Sequence, residues 1–163
     1  MNVSIRELRE EDDLDAVLSL CKAFFDEYEA HHEEFFATDG LRDDHLSGRF
    51  LNSITSDSTS TIIALVDNTI VGYASIAVRD QPDFYMVKRV GAISGLMVKT
   101  AFRRQGIATR LLAEAKHWFR QKGVKYFTVY TAVGNVAAVE FYRRNGMQLL
   151  HTTLIGEITQ EQD

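Results

Sequence analysis

Six residues in the second half of the chain combine small side chains with positive charge at a turn that precedes a helix. They read Arg103-Arg104-Gln105-Gly106-Ile107-Ala108 and follow an apolar run with the pattern of a strand. Gly106 and Ala108 let main-chain N–H groups approach an anion closely, and the positive end of the helix dipole adds to the attraction. The two arginines supply charge for a diphosphate. The segment is a predicted phosphate cradle, and an ordinary strand-to-helix turn is the alternative.

A second motif lies one helix and one strand further along and predicts a short helix with an Asn N-cap and a Gly stop. Together the two motifs resemble the GNAT superfamily of N-acetyltransferases, which use acetyl-CoA as acyl donor. In that family the first motif reads Gln/Arg-x-x-Gly-x-Gly/Ala, and the second reads Asn-x-x-Ala followed by Phe-Tyr and then Gly. This chain matches them at Arg103, Gly106 and Ala108, and at Asn135, Ala138, Phe141, Tyr142 and Gly146.

The resemblance implies a place for each part of acetyl-CoA. The diphosphate would lie on the loop formed by Arg103, Arg104, Gln105, Gly106, Ile107, Ala108 and Thr109. The thioester carbonyl would face the main-chain N–H groups of Leu96, Met97 and Val98. The pantetheine arm would lie between the fourth and fifth strands, within reach of Asn135, whose alternative role is helix capping alone. Tyr142 would donate a hydrogen bond to the departing sulfur, and its alternative role is core packing.

No residue stands out as the general base. Many relatives carry a glutamate on the fourth strand, where this chain has Ser94. Deprotonation of an amine could instead use ordered water, or Glu29, His31 or Glu33 from the polar segment after the first helix. Each of these three residues is better explained as an ordinary surface residue.

The bulk properties indicate one domain of ordinary size. The chain has 163 residues, 45% hydrophobic residues and one cysteine, Cys21. We predict a single domain over residues 3–157 and a polar tail over 158–163. The lone cysteine fits a reducing compartment, and neither a signal peptide nor a membrane-spanning run is evident, so a cytoplasmic protein without a membrane partner is expected. No Cys/His spacing suggests a metal site.

The net charge of −5 argues against general nucleic-acid binding. Acidic residues are frequent in the first third of the chain, at Glu29, Glu33, Glu34, Asp39, Asp43 and Asp44. Such a rim could attract cationic amines, although solvated helix and loop surface explains it equally well.

The pattern along the chain predicts alternating strands and helices. Strands are expected at Val3–Arg6, Thr61–Val66, Thr69–Arg79, Val90–Val98, Phe127–Tyr130 and after Gly146, and helices at about 10–28, 43–54, 108–122 and 135–146. Asp67-Asn68 predicts a hairpin turn, and Gly91 and Gly95 predict a bulge. The expected fold is α/β, with a GNAT-like, mostly antiparallel mixed sheet of six to seven strands and about four helices on both faces.

These features favour an N-acetyltransferase that moves an acetyl group from acetyl-CoA to a primary amine, of a small molecule or a protein, through a ternary complex. The alternative is a non-catalytic acyl-CoA-binding or sensing module, suggested by the absent glutamate. The acceptor is not encoded in a motif, and a homodimer is expected only because relatives commonly form one.

Overall fold

A central sheet runs through the molecule with its strands in sequence order, from β1 at one edge to β5 at the other. The computed structural model describes residues 1–30 and 40–158. The strands are β1 (Val3–Glu7), β2 (Thr59–Val66), β3 (Thr69–Asp80), β4 (Arg89–Val98) and β5 (Phe127–Val129). Neighbours are antiparallel from β1 to β4, whereas β5 lies parallel to β4. The predicted mixed, mostly antiparallel sheet is thus confirmed.

Four α-helices cover the two faces of the sheet, as predicted. They are α1 (Leu14–Glu29), α2 (Asp43–Thr55), α3 (Ile107–Gln121) and α4 (Val136–Arg144), and one 3-10 turn (Thr100–Phe102) follows β4. On one face of the sheet, α1 and α2 form a buried apolar cluster with every second strand residue. On the other face, α3 and α4 form a second cluster with the strand residues that lie between those. The period of two along each strand therefore divides the core into two halves.

The connections follow the local chemistry of the chain. Asp67 and Asn68 both have positive φ (47° and 66°) and join β2 to β3, so the predicted hairpin turn is confirmed. α1 begins at Leu14, later than the predicted residue 10, because the Asp13 carboxylate caps it by accepting from the Ala16 N–H (3.1 Å).

The prediction of six to seven strands is wrong for the described residues, which form five. The pattern after Gly146 predicts a final strand or hairpin, but residues 147–158 form no strand. Leu149, Leu154 and Ile158 are 71%, 90% and 95% exposed. Apolar alternation shows that a segment can be extended, but a strand also needs a neighbouring backbone, and the three residues of β5 offer only a short edge.

The hydropathy of the helices and the arrangement of possible ligand side chains bear on the expectations about membranes and metals. Among residues 1–30 and 40–158, no helix combines the length and apolar character needed to cross a bilayer. Over the same residues, no group of three His, Cys, Asp or Glu side chains is arranged to hold a metal ion.

The packing of α3 on β4 gives a direct test of the fold. A Cβ added at Gly91 would lie 2.6 Å from the ring of Phe119, which is buried and stacked on Phe127 with centroids 5.6 Å apart. Gly91→Ala should therefore lower the free energy of unfolding by about 1–3 kcal/mol, the usual cost of overpacking.

Gly48 provides the matched control, because a Cβ there meets nothing within 4 Å and the residue lies inside α2. Gly48→Ala should raise the free energy of unfolding by about 0.5–1 kcal/mol. Urea unfolding of both variants measures these values, and equal effects would contradict the packing described here.

Candidate active site

β4 and β5 separate halfway along β4 and leave a cleft in the sheet. Their pairing covers only Gly91–Ile93 against Phe127–Val129. Beyond Ile93, β4 continues to Val98 with β3 on one side and no strand partner on the other in the described part of the chain. A cavity of about 80 Å³ occupies this cleft. The separation leaves backbone groups of β4 without a strand partner among the described residues.

A β-bulge lies in β4 where the cleft begins. Ile76 of β3 lies opposite Ile93, but the next residue of β3 toward its N-terminus, Ser75, lies opposite Gly95. Ser94 is therefore the extra, exposed residue. The predicted bulge is present, one residue before Gly95.

The bulge reverses the direction of the backbone N–H groups along β4. Before it, Gly91 donates toward β5, to the carbonyl of Tyr126 (2.9 Å). After it, Lys99 donates toward β3, to the carbonyl of Val71 (2.8 Å). Positions 91 and 99 are separated by an even number of residues, so in a regular strand their N–H groups would point the same way. The inserted residue accounts for the change.

The same alternation fixes which β4 donors face the cleft. Met97 shares the direction of Lys99, toward β3, whereas the N–H groups of Leu96 and Val98 point into the cleft. The sequence pointed to all three residues as donors. The geometry makes Leu96 and Val98 available and uses the Met97 N–H within the sheet.

The loop before α3 presents a second group of backbone donors. Arg104 and Gly106 have positive φ (61° and 78°), and α3 begins immediately afterwards at Ile107. The first hydrogen bond of the helix runs from the Arg110 N–H to the Gly106 carbonyl (3.1 Å). The N–H groups of residues 107–109 therefore precede the helical ladder and point out of its positive end. This arrangement suits an anion.

Arg103 does not extend freely from this loop. Its Nε donates to the Val98 carbonyl (2.9 Å), and its Nη2 lies 2.6 Å from Glu27 Oε1 of α1. Gln105 Nε2 donates to the Ala101 carbonyl (3.3 Å), whereas Arg104 is exposed. Of the two arginines expected to supply charge, only Arg104 is unrestrained by other described residues. Arg103 instead joins the loop to β4 and α1.

α4 brings two of the predicted residues to the cleft. The Oδ1 of Asn135 caps the helix by accepting from the Ala138 N–H (3.2 Å), which leaves its amide N–H₂ for another partner. Tyr142 is 8% exposed, and burial raises its pKa to about 12. Both line the 80 Å³ cavity together with Leu96 and Met97. The Tyr142 hydroxyl has no hydrogen-bond partner among the described residues. Every fully buried polar side-chain atom in that part of the chain does have a partner, so the Tyr142 hydroxyl is not fully buried and opens on the cavity.

A larger cavity of about 340 Å³ lies on the other side of the bulge, between the sheet and helices α1 and α2. Its wall shares Phe24, Ser94 and Gly95 with the smaller cavity. A hydrogen bond between Ser53 of α2 and Thr61 of β2 (2.8 Å between the hydroxyl oxygens) helps to hold its far wall. The two cavities therefore meet at the bulge of β4.

Only Glu29, of the three residues considered as general base, belongs to the described part of the chain. Glu29 lines neither cavity, and His31 and Glu33 lie outside the described residues. Sequence reasoning missed Glu27, the one carboxylate among the described residues that line the two cavities. The signal was available, because Phe24, Glu27 and Tyr28 fall at i, i+3 and i+4 of α1 and so share one helix face.

Comparison with known proteins agrees with this geometry. The sequence profile of the Acetyltransferase (GNAT) family matches residues 14–147. Aminoglycoside N(6')-acetyltransferase type 1 of Klebsiella aerogenes is 27% identical over 111 residues, which is 66% of this chain and 73% of that protein. The protein of the same name from Salmonella typhimurium is 24% identical over 96 residues, which is 58% of this chain and 66% of that protein.

Solved structures share the fold over nearly the whole chain. AAC(6')-Iy in complex with the bisubstrate analog CoA-S-monomethyl-acetylneamine superposes with a TM-score of 0.79 at 19% identity, covering 98% of this chain and 100% of that one. An aminoglycoside acetyltransferase from an uncultured soil metagenomic sample gives a TM-score of 0.67 at 25% identity, covering 98% and 97%.

The chain belongs to the acetyltransferase (GNAT) family, since the family profile spans most of its length. It is an acyltransferase, and acetyl-CoA is its co-substrate. The open N–H groups of β4 and of the loop before α3 fit that molecule, because a carbonyl and a diphosphate are both hydrogen-bond acceptors.

The loop before α3 can be tested through Gly106, whose Cβ position is open space. Gly106→Glu adds negative charge where the diphosphate is expected and should weaken acetyl-CoA binding at least 100-fold, measured by calorimetric titration. Gly123→Glu is the control, because Gly123 also has positive φ (71°) and open space but lies at the other end of α3. The control carries similar backbone strain and should bind normally, and unchanged affinity in Gly106→Glu would contradict the assignment.

Proposed function

We propose that this protein transfers an acetyl group from acetyl-CoA directly to a primary amine, with both substrates bound at once. The observation that carries the proposal is the meeting of two cavities at the bulge of β4. The smaller one reaches the open backbone of β4 and Tyr142, where the donor thioester would lie. The larger one opens on the opposite side, so an amine entering it would approach the thioester carbonyl without displacing the donor.

The donor would lie along the cleft from the loop to the bulge. The N–H groups of residues 104–109 would bind the diphosphate, and the exposed Arg104 would add charge. The Val98 N–H and the side-chain amide of Asn135 would bind the pantetheine arm. The Leu96 N–H, nearest the bulge of the two, would donate to the carbonyl oxygen as negative charge develops on it. A donor held by the sheet needs little reorganisation when that charge appears.

Tyr142 would donate a hydrogen bond to the sulfur that leaves. With its pKa at about 12, the hydroxyl is protonated throughout the ordinary range of pH. Complete proton transfer to a thiolate of ordinary basicity, with a pKa near 8.5, would be uphill by about 5 kcal/mol. Stabilisation of the thiolate by a hydrogen bond is therefore favoured over full protonation. The ammonium group formed on the acceptor can supply the proton.

The amine must lose a proton before it attacks. Glu27 is the lining carboxylate, but its Oε1 is paired with Arg103 at 2.6 Å. We therefore propose that water in the open cavity accepts the proton, and that Glu27 serves mainly to hold Arg103 and the loop against α1. The glutamate that many relatives carry at the position of Ser94 would then not be replaced by another side-chain base.

A binding or sensing module without catalysis is the less favoured alternative. Such a module needs the donor cleft but has no use for a second cavity that meets it at the thioester position, nor for a phenol that opens on the same point.

We further propose a single domain over residues 3–157 in the cytoplasm, where acetyl-CoA is available to an enzyme with one buried, unpaired cysteine. The acceptor panel for a first test should include aminoglycosides, because the named relatives act on them.

The function is tested by incubating the protein with acetyl-CoA and a panel of amines. Release of CoA should depend on the amine, and mass spectrometry should find the product heavier by one acetyl group. Amine-independent hydrolysis, or binding of acetyl-CoA with no transfer to any amine, would overturn the proposal.

Tyr142→Phe separates donor binding from chemistry. It should leave acetyl-CoA affinity within about twofold and lower kcat by about 10- to 100-fold, the effect of losing a hydrogen bond worth roughly 1.5–3 kcal/mol. Because the Tyr142 hydroxyl stays protonated below about pH 12, the ratio of wild-type to variant kcat should be constant from pH 7 to 10. A ratio that falls toward 1 as the pH rises within that range would show that the hydroxyl titrates there and is not the donor described.

A further inference from the structure

Among the described residues, the charged side chains that line the larger cavity are all positive. Arg49 of α2 and Arg79 of β3 lie in its wall, and no described aspartate or glutamate does. Within residues 1–30 and 40–158, neither guanidinium takes part in an ion pair. A guanidinium with its forked N–H donors unused is well matched to a carboxylate or a phosphate.

The two arginines stand apart from the place where the chemistry would occur. Residues of β3 alternate between faces, so Ser75 and Arg79 project to the same side as Tyr73, which belongs to the core formed with α1. Ser75 lies opposite Gly95 at the bulge, and Arg79 is four residues further along the strand, or roughly 13 Å. A ligand that touches both points must therefore be elongated.

The positive charge of Arg49 affects groups in the wall of this cavity. Burial raises the pKa of the Cys21 thiol, and the nearby charge of Arg49 opposes that rise, as it does for the Tyr73 hydroxyl. Both of those side chains line the cavity. The positive charge of Arg49 therefore lies close enough to be felt inside it.

Two members of the acidic rim suggested by the sequence are already paired with cations. Asp43 is paired with Lys22 (2.5 Å) and Asp44 with Arg42 (2.7 Å). Glu33, Glu34 and Asp39 lie outside the described residues. Rim carboxylates that already have cationic partners attract a further cation only weakly.

We propose that the acceptor is a small primary amine that carries a carboxylate or phosphate at its far end. This inference rests on the proposed function: the amine lies at the bulge, and Arg49 and Arg79 bind the anionic group. A polycation such as an aminoglycoside would instead place like charges beside two guanidinium groups that have no ion-pair partner among the described residues, which is repulsive. A cavity of about 340 Å³ is at the lower end of the range for small-molecule sites.

Three probes of equal length isolate the charge at the far end. They are 8-aminooctanoate, octylamine and 1,8-diaminooctane, with kanamycin as a polycation. Each of the three spans roughly 10 Å, and the long side chain of Arg79 can cover the rest of the roughly 13 Å of backbone separation. The order of kcat/KM should be aminooctanoate, then octylamine, then diaminooctane, with at least about tenfold between the first and the last. Replacing the carboxylate by a phosphate ester in 8-aminooctyl phosphate distinguishes which anion is preferred.

Substitution of both arginines tests the source of that order. Arg49→Gln with Arg79→Gln should lower kcat/KM for aminooctanoate by about 10- to 100-fold and raise it for diaminooctane, while acetyl-CoA affinity by calorimetry stays constant. Arg120→Gln is the control, because Arg120 is an exposed arginine of α3 on the opposite face of the sheet, and it should change none of these values.

The outcomes separate this inference from the proposed function. Transfer to diaminooctane or kanamycin that equals or exceeds transfer to the anionic amines would overturn the inference and leave the acetyltransferase intact. A double variant that keeps the wild-type preference would also overturn the inference alone. Transfer to no amine by a protein that binds acetyl-CoA would overturn the proposed function, and the inference with it.

Discussion

One extra residue in β4 sets the direction of the backbone donors on which the proposed chemistry depends. If Ser94 occupied a regular position in β4, paired with a residue of β3, the N–H groups of Leu96 and Val98 would point to β3 and be used by the sheet. With it, they face a cleft that β5 leaves open after three residues of pairing. The exposed position of Ser94 and the absence of a side chain at Gly95, where a Cβ would lie 2.9 Å from the Tyr73 hydroxyl, keep this point accessible.

The sheet also separates the proposed donor site from the proposed acceptor site. The α3 and α4 side holds Tyr142 and the loop at Gly106, and is concerned with the donor. The α1 and α2 side encloses the larger cavity, which would receive the acceptor. Arg103 links the halves, because one side chain contacts the β4 backbone and α1. Rigid elements thus supply most of the proposed donor contacts, while the acceptor contacts come from side chains on a helix and a strand end.

The sequence predicted the parts of this arrangement that depend on local rules. The helix cap at Asn135, the glycine at the end of that helix, Gly146, and the turn at Asp67-Asn68 each follow from residue type. The failures involve partners distant in the chain. The segment after Gly146 has the alternation of a strand but no neighbour, and the engagement of Arg103 with Glu27, 76 positions away, has no signature in either motif. The charges of the larger cavity were also missed, because Arg49 and Arg79 come together only when α2 packs on the sheet.

Amide hydrogen exchange, followed residue by residue along β4 without and with saturating acetyl-CoA, measures directly where these donors point. In the free protein, Leu96 and Val98 should exchange faster than Met97 and Lys99, because only the latter pair donates to β3. Acetyl-CoA should then protect Leu96 and Val98 selectively. Equal protection of all four residues in the free protein, or no added protection at Leu96 and Val98 on binding, would contradict the claim that the bulge directs these donors to the substrate.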